Sequence, residues 1–583
     1  MKWIPKSVDD AKVPALAAAL RQQSGIKSAP QAETLSRLLI MRGVEDADAA
    51  QRFLTPSLAN LHSPYQLKGM QAAVDRIDAA IERRESILIY GDYDVDGTTA
   101  IVILKTAIEL CGGSADFHVP HRIKEGYDLR GDRIEQAATE GIRLVVSVDT
   151  GIRAFAAADT AHRLGVDLIV TDHHLPGPDG MPRALAVLNP NQPGCQYPSK
   201  NLCGAGVAFK LAQALMERRM PDRNQSQLLA SFLKVVAIAT VADAVPLTGE
   251  NRVFAKLGLD ALHKAINPGL KALLEVSKLG GRPLTSGEVG FRIAPRINAA
   301  GRMDVARDVI DLFSTKDAQH AQEIANKLDQ LNAARQKEER EILESIKLRV
   351  EEEHALRDSY CVVIDGDGWH RGVIGITATR VVEQFGRPAL VISCNGDEAH
   401  GSGRSIPAFH LLDALESCAP LFTRFGGHAH AAGFSMPSER IPQLRSHLDR
   451  YARERLTLAD FEPILHYDAE LALELVTPDF FQLLERLQPF GVGNAEPVFV
   501  ACGARLLGAP RVFKEEHVKL KFAAAKNGVV HTALGWRMAD TFQQQQCLAG
   551  DLLDIAFTLD HNDHPDFGGL ELTLKDFRRA EAA

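Results

Sequence analysis

Three short β-branched runs in the first third of the chain each lead into acidic residues, and no other feature restricts the fold as tightly. Ile87-Leu88-Ile89-Tyr90 precedes Asp92-Tyr93-Asp94-Val95-Asp96-Gly97, Leu144-Val145-Val146-Ser147-Val148 precedes Asp149-Thr150-Gly151, and Leu168-Ile169-Val170-Thr171 precedes Asp172-His173-His174. Short apolar runs without polar alternation read as strands covered on both faces, the condition of a parallel sheet between helices. Ligands of an open α/β sheet gather at the carboxyl ends of its strands, where all three acidic motifs stand. Hard divalent cations that assist phosphate-ester cleavage need clustered oxygen ligands with an occasional imidazole. The pattern predicts a divalent-metal site of that kind.

Each motif alone has an ordinary reading. Asp92-x-Asp94-x-Asp96-Gly97 also opens a calcium loop of the EF-hand type, but its twelfth position is Ile103 instead of Glu and a strand precedes it. Asp-Thr-Gly is common turn chemistry, and Asp-His-His can be a solvated turn. Three such motifs at three strand ends within one α/β domain's length are what point to a metal site.

The chain has 583 residues, too many for a single core, so about three to five domains are expected. With 45% hydrophobic and 24% charged residues, the composition is that of an ordinary soluble globular protein. No run approaches ~18 uninterrupted apolar residues, and Met1-Lys2-Trp3-Ile4-Pro5-Lys6 leads into no apolar leader segment. A protein that is neither secreted nor membrane-spanning is expected. The eight cysteines are scattered without a Cys-x-x-Cys pair, which disfavours structural zinc and a disulfide framework and suits a reducing cytoplasm.

Periodicity divides the chain. Residues 1–70 read as a mostly helical lead-in, and 71–315 carry the acidic motifs and alternate strand with helix, as in Ile87–Tyr90 followed by Thr98–Leu110. From Lys316 to Glu353 there is neither Gly nor Pro, and apolar residues at Ile324, Leu328, Leu331, Ile342 and Ile346 predict one long amphipathic helix (316–353) bridging two domains. A second, smaller α/β unit (354–460) starts on Tyr360-Cys361-Val362-Val363-Ile364. Alternating stretches beyond 461, such as Val518-Lys519-Leu520-Lys521-Phe522 and Val529–Trp536, predict a small β-barrel over 461–583, best read as an OB-fold. The net charge of −9 is awkward for a nucleic-acid enzyme, yet Arg505–Arg537 holds seven basic residues, Lys519 and Lys521 among them, against two acidic ones. A basic patch inside an acidic whole suits a groove that binds DNA while other faces stay soluble.

The order of motifs resembles the DHH phosphoesterases. Asp92-x-Asp94-x-Asp96-Gly97, Asp149-Thr150-Gly151-Ile152 and Asp172-His173-His174 are followed by Ala242-Asp243-Ala244-Val245-Pro246-Leu247 and Pro295-Arg296-Ile297-Asn298-Ala299-Ala300-Gly301-Arg302. Gly426-Gly427-His428-Ala429-His430-Ala431-Ala432-Gly433 is similar to the signature of the associated second domain, DHHA1. The resemblance extends from about Phe53 over nearly the whole chain. It implies an α/β multidomain fold in which a parallel-sheet DHH domain and a smaller DHHA1-type domain are joined by the long helix, with the OB-fold barrel behind. The activity implied is that of the family's single-strand-specific members, 5′→3′ exonucleases that release 5′-mononucleotides in DNA recombination and repair.

The resemblance also implies two divalent cations, Mn²⁺ or Mg²⁺, held by Asp94, Asp96, Asp149, His173 and Asp243, with Asp149 bridging. Related small phosphatases carry His where this chain has Tyr90, and Asp92 is the candidate to fill that vacancy. The alternative for Asp243, that it merely ends a buried element, rests on the apolar run Val235–Val241. His174 is expected to orient a ligand or handle a proton. For end recognition, Arg forks suit phosphate oxygens better than Lys point charges. Gly401-Ser402-Gly403-Arg404-Ser405, expected as a turn after the strand Ala389–Ser393, would combine backbone N–H groups, the Ser402 hydroxyl and the Arg404 guanidinium in a phosphate pocket. Arg122, Arg296 and Arg302 are candidates to join it, with a simple ion pair as the alternative for Arg122 and Arg296. His428 and His430 sit where Gly426-Gly427 would let a phosphate or sugar approach. Phe513, Phe522 and Trp536 interleave with the basic patch, to stack on bases or to fill the barrel, at least one being core.

Two other readings share these motifs. A DHH phosphodiesterase of short oligoribonucleotides or cyclic dinucleotides would not need the residues after 461, and a non-catalytic replication scaffold would not keep every acid and the His pair. The implied partner is single-stranded DNA with a 5′ end; a single-strand-binding protein and a helicase are candidate protein partners, and no membrane is expected.

Overall fold

The computed structural model describes residues 1–583 apart from 25, 122–124, 127, 304–305, 525–527, 563–567 and 581–583. Its catalytic sheet consists of β1 (Ser86–Gly91), β2 (Ser114–His118), β3 (Leu144–Val148), β4 (Asp167–Thr171) and β5 (Ala186–Leu188), all parallel, in the spatial order β2-β1-β3-β4-β5. Ile87, Ile89, Val146 and Ile169 are buried on one face of it, Leu88, Val145 and Leu168 on the other. The chain leaves β1 toward β2 on one side and continues through β3 on the other, so the ends of β1 and β3 flank the reversal where such sheets open a crevice.

Helices α1 (Val95–Leu110), α2 (Gly204–Arg219), α3 (Gln225–Ala242) and α4 (Gly249–Leu262) pack into one core with the sheet. Among the described residues α3 is the one helix long and apolar enough to cross a membrane, with a mean hydropathy of 1.4 over its 18 residues. Here Phe232, Leu233, Val236 and Ile238 are buried in the catalytic core. A wide turn over Val289–Ile293 leads into α5 (Ala294–Met303).

The bridging helix is α6 (Ala318–Glu352), whose 35 residues give about 50 Å at ~1.5 Å each. Ile324 and Leu328 belong to the catalytic core, whereas Ile342, Ile346 and Val350 belong to the core of the second domain. The apolar spacing read from the sequence therefore spans two cores. That second domain carries β6 (Val362–Asp367), β7 (Ala389–Asn395), β8 (Glu398–Arg404), β9 (Arg424–Gly427) and β10 (Ala431–Pro437) in the order β9-β10-β8-β7-β6, with only β6 and β7 parallel.

In the C-terminal region Phe499–Leu506 pairs with Leu552–Asn562 and also with His517–Ala523. Gly569–Arg579 and Val530–Gly535 complete a closed five-stranded ring, the OB-type barrel expected. The N-terminal segment is less separate than its sequence indicates. Lys2–Pro5 pairs with Ile464–Tyr467, and Leu16, Leu20, Leu35, Leu38, Leu39 and Phe53 share one core with the barrel residues Phe499, Phe522 and Phe557. Arg252 of α4 fastens this unit to the catalytic domain. It is buried, lies 3.8 Å from the centroid of the Phe53 ring, and donates to the carbonyls of Phe53, Arg486, Leu487 and Gln488.

Candidate metal centre and nucleic-acid groove

The loop after β1 turns directly into α1. Asp94 caps the helix, accepting from the Gly97 amide at 3.0 Å, and Gly97 is needed because a Cβ there would lie 2.6 Å from the backbone of Asp92. Asp96, one turn in, accepts from the amides of Gly204 and Ala205 at the start of α2, at 2.5 and 2.8 Å. Gly204 is itself packed on Asp149, whose carboxylate a Cβ would meet at 2.5 Å. Asp149 follows β3 in the left-handed region (φ 59°), a strained backbone for a residue with a side chain and one that recurs at functional sites.

These placements bring the acids together. Asp92, Asp94 and Asp149 form one cluster able to hold a cation, Asp96, His173 and Asp243 a second, and Asp149, His173 and His174 a third overlapping set. The Nε2 of His173 lies 3.2 Å from Asp149 Oδ1 and 3.8 Å from both Asp96 Oδ2 and Asp243 Oδ2. Asp149 Oδ1 and Asp243 Oδ2 are buried and accept no hydrogen bond. Buried carboxylate oxygens left in that condition are costly unless a cation compensates them. The donor set, carboxylates with one or two imidazoles, fits Mn²⁺ or Mg²⁺.

The electrostatics agree. Burial first, then the neighbouring acids Asp96 and Asp94, push Asp149 well above the ordinary carboxylate range. Asp94 is raised by burial and by Asp96, and Asp243 is pushed up to about 8 by burial and by Asp96. Burial is the largest influence on His173 and lowers it, the direction that favours the neutral imidazole used in coordination. These are the directions expected of buried acids crowded together, an arrangement that a divalent cation would relieve.

Asp172 is the support that sequence reasoning left without a role. It is buried, and it accepts from the amides of Ile152, His173 and His174 and from Nδ1 of His174 at 2.7 Å. Burial works to lower His174, but the hydrogen bond and charge of Asp172 prevail and raise it. Tyr90 is fully buried with its hydroxyl on the carbonyl of Asp128, away from coordination, while Asp92 takes the place beside Asp94 and Asp149.

Helix α5 joins this cluster to a second feature. Asn298 accepts from the Val95 amide, Gly301 lies against the carbonyl of Tyr93, and Arg302 donates to the carbonyl of Gly372 in the second domain. Arg302 thereby lines a groove of about 880 Å³ together with Arg371, Arg380, Arg404 and Arg424, with Ser402, His400 and Phe291 also facing it. Arg404 donates to Ser402 Oγ at 3.1 Å, so hydroxyl and guanidinium are presented together. The expected turn at Gly401–Ser405 is instead mostly strand β8, whose backbone faces β7 on one side and β10 on the other. Side chains, not free backbone amides, therefore form this part of the groove.

Other expected residues lie elsewhere. Arg296 is paired with Asp329 of the bridging helix at 2.8 Å, the ion-pair alternative, and does not line the groove. Arg122 lies outside the described residues. His428 and His430 are exposed at the β9–β10 hairpin, where Gly427 is required by the hairpin itself, since a Cβ would lie 2.3 Å from the carbonyl of Ala431. On the barrel, Arg511, Lys519 and Lys521 line a further groove of about 720 Å³, although Lys519 also lies 3.4 Å from Glu571. Phe522 is core, whereas Trp536 is about half exposed and packs edge-on against Phe513 and His517. Arg371, Arg380 and Arg424 carried no motif signal, and Phe291, 79% exposed on the wide turn, was visible only as an isolated aromatic.

Comparison with known proteins agrees with this architecture. The model of the DHH family N-terminal domain matches residues 86–240 and that of the DHHA1 domain matches 358–454, which places the chain among the DHH phosphoesterases. The RecJ OB domain model matches residues 467–576. The chain is 35% identical over 561 residues to the single-stranded-DNA-specific exonuclease RecJ of Dickeya dadantii, covering 93% of this chain and 95% of that protein. It is 36% identical over 506 residues to the Escherichia coli protein of the same name, covering 83% and 86%. Against the Bacillus subtilis RecJ it is 38% identical over 525 residues, which is 89% of this chain but 64% of that longer protein. The crystal structure of Thermus thermophilus RecJ with Mn²⁺ superposes with a TM-score of 0.81 at 29% identity, covering 100% of this chain and 80% of that one. The chain belongs to the RecJ family.

Proposed function

We propose that this protein is a metal-dependent exonuclease that hydrolyses single-stranded DNA from its 5′ end and releases 5′-mononucleotides. The observation that carries the reading is the continuity, through α5, between an acid–imidazole cluster with buried, unmatched carboxylate oxygens and a groove lined by five arginines. Relatives described as single-stranded-DNA-specific exonucleases, and RecJ structures with Mn²⁺ and with Mg²⁺, support it.

Asp92, Asp94, Asp96, Asp149, His173 and Asp243 would hold the divalent cations. When bound, these supply Lewis acidity toward the phosphodiester and a water acidified into a nucleophile. The chain's own residues do the rest. Arg302, Arg404 and Ser402 grip phosphate oxygens, Arg404 selecting a terminal phosphate, and Arg371, Arg380 and Arg424 extend the positive lining. Phe291 offers a stacking face for a base at the groove. Asp172 holds His174 basic and correctly turned, so that the imidazole can carry a proton to or from the reacting phosphate. The barrel groove at Arg511, Lys519 and Lys521 tracks the strand behind the reacting end.

Single strands with free ends arise by unwinding, so a helicase and a single-strand-binding protein are the partner classes proposed. The cytoplasm is the proposed compartment, in keeping with eight unbridged cysteines. The test is product analysis with Mn²⁺ on 5′-phosphorylated single strands, the matching duplex and dinucleotides. Mononucleotides released in order from the 5′ end of the single strand are expected. Preference for dinucleotides would return the oligonucleotide phosphodiesterase reading, and absence of turnover on all three would return the scaffold.

A further inference from the structure

Asp243 occupies the C-terminal end of α3, its amide donating to the carbonyl of Ala239 at 2.9 Å. The next residue, Ala244, takes a left-handed backbone (φ 54°), and Val245–Thr248 then lead into α4. A ligand carried on a short, strained link needs that link held from outside. What holds it comes from far along the sequence. The amide of Leu247 donates to the carbonyl of Val492 at 2.8 Å, and Gly493, itself at φ 71°, packs so closely that a Cβ would lie 3.1 Å from Pro246.

The loop that makes these contacts is built around Asn494. This side chain is fully buried, donates to the carbonyls of Leu487 and Pro489 at 2.7 and 2.8 Å, and accepts from Arg42 Nε at 2.6 Å. Arg42 also donates to the carbonyl of Ala495. Every hydrogen-bonding direction of the amide but one is thus used to fix a loop that is otherwise exposed at Gly491, Val492 and Gly493. Among its contacts with the catalytic domain are those to Pro246 and Leu247, in the link that follows Asp243.

We propose that Gln488–Pro497 is a positioning segment for the metal centre, in which Asn494 sets the loop and Gly493 lets it press on Pro246, so that Asp243 is aimed by residues belonging to the barrel end of the chain. The inference rests on Asp243 being a metal ligand, as the proposed function has it. Its consequence is that metal affinity depends on residues that bind neither metal nor DNA.

The experiment compares wild type with Asn494→Ala and Gly493→Ala in the full chain. Mn²⁺ binding is measured by calorimetry or by the spin resonance of free Mn²⁺, alongside single-strand affinity in metal-free buffer and the thermal unfolding midpoint. Both variants are expected to bind Mn²⁺ about tenfold more weakly or worse, with single-strand affinity within about threefold of wild type. Gly493→Ala is at an exposed position and keeps the proposal testable should Asn494→Ala fail to fold. If wild type binds Mn²⁺ and a folded Gly493→Ala binds it equally well, the proposal is overturned while the metal reading stands. If wild type binds no Mn²⁺, the metal reading falls and takes this proposal with it. Equal losses of metal affinity, DNA affinity and unfolding temperature would mark a general defect of the fold and overturn it as well.

Discussion

Replacing Asp172 by Asn isolates the support beneath the histidine pair. The carboxylate accepts four hydrogen bonds: Ile152 N at 2.9 Å on one oxygen, and His173 N, His174 N and His174 Nδ1 at 2.7, 3.1 and 2.7 Å on the other. An amide keeps the shape but has only one accepting atom. Whichever way it is turned, an NH₂ group faces either the Ile152 amide or the histidine side, so at least one donor is left without an acceptor in a buried place. Losing a hydrogen bond to a charged group is worth roughly 1.5–3 kcal/mol. If that loss falls on the transition state, the rate drops about 10- to 150-fold. His174 should also become less basic, because the same carboxylate is what raises it. The assay is kcat and KM on a 5′-phosphorylated single strand at saturating Mn²⁺ between pH 6 and 9, with the unfolding midpoint as control. A kcat within threefold of wild type and an unmoved pH profile would refute the argument that Asp172 tunes His174.

Asp149→Ala should abolish turnover while metal-free single-strand binding remains, since this carboxylate belongs to two of the three acid clusters; activity within tenfold of wild type would remove it from the centre. Arg404→Ala should reduce kcat/KM on 5′-phosphate ends far more than on 5′-hydroxyl ends, and an equal loss on both would make it a residue of the general DNA path. Alanine at Arg511 and Lys521 together should weaken long-strand binding and flatten its salt dependence by roughly 0.7 per lost contact; an unchanged slope would mean the strand runs elsewhere. Metal-free protein should lose stability as pH rises, because Asp94, Asp149 and Asp243 have folded pKa values above the carboxylates of an unfolded chain. The folded state keeps protons that the unfolded state has released, and this contribution fades as pH rises through about 8, where Asp243 titrates. Unfolding midpoints in EDTA at pH 6 and pH 9 should therefore diverge by a few degrees and reconverge on adding Mn²⁺; identical midpoints in EDTA would contradict the raised values.

What the sequence disclosed was what local pattern can carry. β-branched runs ending on acids placed Asp92, Asp94, Asp96, Asp149 and His173 at the carboxyl ends of neighbouring strands, because a parallel sheet leaves its ligands few other places. Apolar spacing predicted the bridging helix to within two residues of Ala318–Glu352, because a long uninterrupted amphipathic pattern has no competing structure. Arg371, Arg380 and Arg424 were missed because they come from separate segments and meet only when the second sheet and its helix are assembled over α5. The ion-pair alternative for Arg296 could not be settled by sequence, since it turns on the position of Asp329 on the neighbouring helix, which engages Arg296 and leaves Arg302 to reach Gly372. The Gly401–Ser405 run read as a turn because its small residues suit turns, but glycine is also tolerated where strands and rings approach closely. A Cβ at Gly401 would sit 2.0 Å from the Phe434 ring.

The joining of the two chain ends was invisible for a different reason. Leu35, Leu38 and Phe53 share a core with Phe499, Phe522 and Phe557 across more than 400 positions, and an amphipathic helix reveals that it has a partner without revealing which. This changes how the barrel can be studied. Every candidate metal ligand precedes residue 461, so the sequence invites a deletion there to separate catalysis from strand binding. The structure forbids so simple a cut. It would remove the cover of the N-terminal helices, the strand partner of Lys2–Pro5 and three of the four carbonyl acceptors of Arg252, leaving a buried guanidinium and an apolar face in water. Loss of activity in such a truncation would report collapse around Arg252 and Pro246 as much as loss of a DNA-binding module. Surface substitutions at Arg511 and Lys521, which leave that shared core intact, are the ones that separate strand binding from the integrity of the metal centre.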